Sequence, residues 1–143
     1  MKTTQDVFAQ LSGQDDNLGD SALRRAYLEA LGGEGRRLHV FLGSPTSDYY
    51  AAFANLPDVT FYAERPAWLH AQRSATRPVH AFNAGEINPQ SGIYPSARRA
   101  RECVHALDAG GALIVAGIGM KSVESVTDIA FDPVFRAASV MSW

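Results

Sequence analysis

Ala112-Leu113-Ile114-Val115-Ala116 is an unbroken apolar run fenced by Gly110-Gly111 before it and Gly117-Ile118-Gly119 after it. A run this short, with no polar residue on either alternate face, suits a strand at the centre of a sheet covered on both sides. Three more compact runs share its character: Leu38–Leu42, Val59–Ala63 and Val79–Asn83. Segments with helical spacing separate them. Tyr49, Tyr50, Phe53 and Leu56 define one such segment, Pro66 to Gln72 one or two helical turns, and Ala100, Cys103, Val104 and Leu107 the inner face of another. On that last helix Arg98, Arg99, Arg101 and Glu102 are expected to lie mostly outward. Strands alternating with helices predict an α/β fold: a Rossmann-like three-layer domain whose mostly parallel sheet has four or five strands.

The first 37 residues are read differently. Val7, Phe8 and Leu11 fit one face of a short helix capped by Thr3 or Thr4, and Leu23, Tyr27, Leu28 and Leu31 fit a second helix ending at Gly32-Gly33. Residues 1–37 are therefore expected to form a helical N-terminal extension and residues 38–143 the core of a single domain. Residues 122–130 fit helix and strand equally. Asp132-Pro133 is an N-cap and N1 pair, which places a last helix from Pro133 to about Ser142.

Composition closes off several functions. The 143 residues suffice for one domain with its own core, and 46% hydrophobic and 20% charged residues with a net charge of -2 describe an ordinary globular chain. Generic nucleic-acid binding is disfavoured by that charge. The longest apolar run, Ala112–Met120, is too short to span a bilayer. The N-terminus lacks the apolar core of a signal peptide. A lone cysteine, Cys103, builds no disulfide framework, so the chain is expected to be soluble and cytoplasmic. His39, His70, His80 and His105 have no metal-ligand spacing, and no metal site is expected.

In an open parallel sheet ligands bind beyond the carboxyl ends of the strands. That rule selects Gly43-Ser44-Pro45-Thr46-Ser47-Asp48, Glu64-Arg65, Asn83-Ala84-Gly85-Glu86 and Gly117-Ile118-Gly119-Met120-Lys121. The candidate ligand-binding residues are Gly43, Ser44, Asn83, Gly85, Gly117, Gly119 and Lys121. Glu86, beside a glycine just past a strand, is the candidate general acid or base. Asn83 and Ser44 would orient a substrate, and Lys121 would neutralise developing charge. Glycine backbones, hydroxyls, carboxylates and a lysine suit a nucleotide-like or anionic metabolite. No cofactor is assigned. Gly117-Ile118-Gly119 lacks the third glycine of a dinucleotide fingerprint, and Gly119-Met120-Lys121-Ser122 lacks the spacing of a P-loop.

Val40-Phe41-Leu42-Gly43-Ser44-Pro45 is similar to the first strand and loop of nucleoside 2-deoxyribosyltransferases and related nucleotide N-glycosidases. Ser91 to Ala100 stands where that family carries an Asp-x-Gly-Thr-x-x-Glu segment opening a helix. Gly92 and Ala100 match. Gln90 replaces the aspartate, Ile93 the threonine and Ser96 the nucleophilic glutamate. The resemblance thus implies a fold and a nucleoside-type ligand, while the carboxylate that performs glycosyl transfer is missing.

Two functional expectations follow. The first is a small-molecule-binding α/β domain, extending to a small hydrolase or transferase acting on a nucleoside-type ligand. The second, from another class, is a non-catalytic protein-interaction module (an accessory, immunity or phage-encoded factor) using the N-terminal helices as its binding face. A homo-oligomer with Phe131, Val134, Phe135, Met141 and Trp143 at a subunit contact is a further expectation.

Overall fold

The computed structural model describes residues 4–11, 18–87, 92–120 and 130–141. The chain divides into two compact units, Met1–Ala75 and Thr76–Trp143. Both belong to the α/β, Rossmann-like class, built from parallel strands with intervening helices. Six strands are found among the described residues, against the four or five expected.

The additional strands come from the two ends of the chain. Gln5–Gln10 is β1, a strand where the first of the two N-terminal helices was expected, while the second expected helix is present over Leu18–Leu31. Val7, Phe8 and Ala9 are all buried, as consecutive residues are in a strand covered on both faces. A run of four residues carries no period of its own, and pairing with a strand some thirty residues away decides the outcome.

In the first unit the strand order is β3-β2-β1, with β2 over Arg36–Phe41 and β3 over Val59–Tyr62. The register pairs Phe8 with His39 and Ala9 with Val40. Helix α1, Leu18–Leu31, joins β1 to β2, and its end packs on the Leu38 face, where a side-chain carbon added at Gly32 would lie 3.6 Å from Leu38 Cδ1. Helix α2, Ser47–Ala51, is capped by Thr46, whose hydroxyl accepts from the Tyr49 amide. Arg24 ties α1 to this face by donating to the Leu11 carbonyl and the Tyr49 hydroxyl, both at 2.7 Å. Helix α3, Arg65–Ser74, covers the other face. Its fully buried Trp68 packs edge-on against Phe8 and donates Nε1–H to the His39 carbonyl at 2.9 Å. Helix, sheet and helix thus make three layers.

The second unit has the order β4-β5-β6. Strand β4 spans Val79–Ile87 and β5 spans Ala112–Met120, each four residues longer than its apolar run. Helix α4, Ala97–Asp108, packs Ala100 and Cys103 on Phe82, Leu113 and Val115. At its end the chain passes so close to β4 that a side-chain carbon at Gly111 would stand 1.8 Å from the Pro78 carbonyl oxygen, and only glycine fits. The expected last helix is shorter than its sequence signal. Asp132 does cap a 3-10 helix, Pro133–Ala137, by accepting from the Val134 amide. Ala138 is then extended, the Ser139 amide donates to the Leu113 carbonyl, and Val140–Met141 becomes β6. Lys121, residues 122–129 of the ambiguous stretch, the 88–91 turn region and Trp143 lie outside the described residues.

Candidate functional site

At the carboxyl end of β2, Gly43 turns the chain with φ +73° and Ser44 is exposed. The helix that follows is only five residues long, so it presents a weak dipole to this loop. Arg65, just past β3, lays its guanidinium over the rings of Phe41 and Trp68, 5.2 and 5.9 Å from their centroids. Two of the expected ligand residues therefore sit on this edge, on a loop backed by aromatic packing.

The carboxyl end of β4 and β5 holds more of the expected set. Because the ladder continues, Gly85 pairs with Ile118 and Glu86 with Gly119, so these residues lie inside strands and not in the exit loops expected for them. In sequence Gly85 and Gly119 look like strand punctuation, but the β4–β5 register runs through both of them. The register runs from the Asn83–Ala116 pair to the Gly85–Ile118 pair, and between them Gly117 adopts φ +69°. A left-handed residue within an extended strand is a local break that glycine alone takes without strain. The Asn83 amide stands beside that break, its Oδ1 3.5 Å from where a Gly117 side chain would begin.

Arg99 completes the group. It was expected to lie mostly outward, yet its guanidinium sits 4.1 Å above the Phe82 ring and Nη2 donates to the Asn83 carbonyl at 3.0 Å. The ring face and this hydrogen bond compensate part of the guanidinium's lost hydration. Burial raises the Tyr94 hydroxyl above its usual range, and the charge and hydrogen bond of Arg99 pull against that rise. Glu102, also expected outward, is buried, whereas Arg98 and Arg101 are exposed. Cys103 is fully buried, and burial pushes its thiol up to about 12, which makes it an inert core residue.

A second polar group went unread in the sequence. On one face of β1–β3, Asp6 accepts from Arg37 Nε at 2.7 Å and meets His39 Nε2 at 3.0 Å, while His39 Nδ1 meets the Tyr62 hydroxyl at 2.9 Å. With the carboxylate as acceptor, a neutral His39 carries its proton on Nε2 and accepts from the Tyr62 O–H on Nδ1. His39 is stacked on Phe8 with the ring planes 11° apart. Burial alone would raise the Asp6 carboxyl, but the hydrogen bonds and charges of Arg37 and His39 outweigh it and hold the carboxyl below its usual value. Burial likewise raises the Tyr62 hydroxyl. Arg37 and His39, two apart on a strand, are the sequence signal for a charged partner on the neighbouring strand; reading residues 4–11 as helix removed that strand.

Among the described residues no three of His, Cys, Asp and Glu gather as metal ligands, and no helix is long and apolar enough to cross a membrane. No protein family, no curated protein and no solved structure matches the chain.

Proposed function

We propose that this chain binds a small nucleotide-like or anionic ligand at the carboxyl end of β4 and β5, with Asn83 and the Gly117 backbone as its contacts. The observation that carries the reading is the left-handed break at Gly117 beside the Asn83 amide. A residue without a side chain lets a ligand approach the backbone closely, and a left-handed turn aims peptide groups away from the ladder. The Asn83 amide offers a donor and an acceptor on one edge, the pattern that matches a base or a carboxamide. Arg99, fixed on Phe82, contributes the positive charge that favours an anion. Glu86, paired with Gly119 on the same strands, is the carboxylate to test for catalysis.

The test is a thermal-shift screen against nucleosides, nucleotides, sugar phosphates and NAD, with Asn83→Ala and Glu86→Gln in parallel. A ligand at 100-fold excess over its Kd contributes about 2.7 kcal/mol, or about 5–10 °C in Tm for a domain of this size. The expected result is a shift for one ligand class that Asn83→Ala abolishes. Glu86→Gln should keep the shift and lose any turnover of that ligand. A flat response across all classes, or a shift indifferent to Asn83→Ala, overturns the reading.

A further inference from the structure

The outer edge of the second unit carries features that the ligand reading does not use. Strand β6 ends the order β4-β5-β6 and pairs only with β5 among the described residues, through Ile114–Val140 and Val115–Met141. Beside it Phe131, Asp132, Phe135, Arg136 and Met141 line an open cavity of about 440 Å³. Three large apolar residues stay in water here: Val140 at 52% exposure, Met141 at 41% and Phe131 at 37%. A strand paired on one side only among the described residues, next to an apolar hollow, is the kind of surface that proteins cover with another strand or another chain.

The charges of the hollow point to the occupant. The Arg136 side chain makes no hydrogen bond or ion pair among the described residues, and one Asp132 oxygen is engaged by the Val134 amide. One acid and one base, four residues apart on the same apolar rim, make the face its own electrostatic complement. In a two-fold contact each Arg136 meets Asp132 of the other copy, so one arrangement makes two ion pairs and leaves neither charge unanswered. A peptide of single charge would leave one of them buried and unanswered.

We propose that two copies of this chain associate through the β6 edge and this hollow, with Met141 and Phe131 buried between them and Arg136 paired to Asp132 across the two-fold axis. Only a two-residue strand edge and one hollow are engaged, so the association is expected to depend on concentration. The inference goes beyond the ligand reading and does not depend on it.

Sedimentation velocity from low micromolar to near-millimolar protein tests it. The wild type should pass from monomer to dimer across that range. Arg136→Asp sets acid against acid and Asp132→Lys sets base against base, so each variant alone should remain monomeric. An equimolar mixture of the two should dimerise again, because each mismatched pair is then opposite in charge. Circular dichroism melts establish that both variants are folded. Met141→Lys, which spares the Asp132 cap, gives an independent reading and should abolish the dimer. A wild type that is monomeric throughout, a dimer untouched by Met141→Lys, or folded charge variants that fail to re-associate when mixed would each overturn the proposal.

Discussion

Phe8→Ala separates a buried β1 strand from a short, peripheral N-terminal helix. The Phe8 ring is wholly inaccessible, stacked on His39 with centroids 4.5 Å apart and edge-on to Trp68 at 6.1 Å. Burying a side chain of this size contributes about 1.5–3 kcal/mol, and a favourable aromatic geometry adds about 0.5–1.5 kcal/mol for a pair. With the cavity left behind, the loss should reach about 3–5 kcal/mol, a large share of a total stability of about 5–15 kcal/mol. Urea unfolding followed by far-ultraviolet circular dichroism reads this directly. With a slope near 2 kcal/mol per molar, the midpoint should fall by about 2 M at unchanged slope. Leu23→Ala, at a residue 73% exposed on α1, provides the surface control and should cost no more than about 0.5 kcal/mol. If Phe8→Ala moves the midpoint by no more than Leu23→Ala does, residues 5–10 are not a buried strand.

Gly111→Ala should cost about 3 kcal/mol or more, since the added carbon meets backbone at Pro78 and Ala106, neither of which can rotate away; a thermal melt within a degree of wild type would refute that packing. Asp6→Asn should destabilise the fold by about 1–2 kcal/mol at neutral pH, discounted for the half-exposed Arg37 partner. The native Asp6 carboxyl ionises below its ordinary value of 3.8, so its contribution is complete above that value and is lost as the pH falls through the lowered one. Denaturant midpoints measured along a pH series should therefore show the gap between wild type and Asp6→Asn holding at neutral pH and closing in strong acid; a gap independent of pH would remove the ion-pair account.

The fold class was legible because the central signals are local. Leu38–Leu42, Val59–Ala63 and Ala112–Ala116 are apolar, β-branched or aromatic runs bounded by glycine, proline or charge, and their strands appear within a few residues of the expected ends. The α4 helix was equally plain from Ser96 to Gly110-Gly111. Failures occurred wherever a partner strand decided the local state. Gln5–Gln10 is a strand because Arg36–Phe41 lies beside it, and Val140–Met141 is a strand because β5 offers an open edge. Neither partner is visible in a window of ten residues. With β1 misread as helix, the Asp6–His39–Tyr62 chain was also out of reach, since its geometry exists only once the parallel register sets Asp6 beside Arg37.

The same principle relocates the candidate site within the second unit. Treating Gly85, Gly117 and Gly119 alike as punctuation made all three loop residues, with Glu86 among them. In the folded chain Gly85 and Gly119 take part in the β4–β5 pairing, and a residue within a ladder commits backbone groups to the neighbouring strand. Gly117 is different because its left-handed φ cannot continue an extended strand, so the break belongs to this residue and not to glycine content in general. Asn83 gains its place from the register, which sets it opposite Ala116, one residue before that break. Arg99 then reaches the Asn83 carbonyl from the first turn of α4, across the face of Phe82. A helix wheel assigns such a residue to solvent because it weighs charge alone; an aromatic face and a strand-end carbonyl together outweigh the loss of water. Charge, amide and backbone break are thus assembled by three elements whose proximity follows from strand pairing and helix packing, with no sequence motif to announce it.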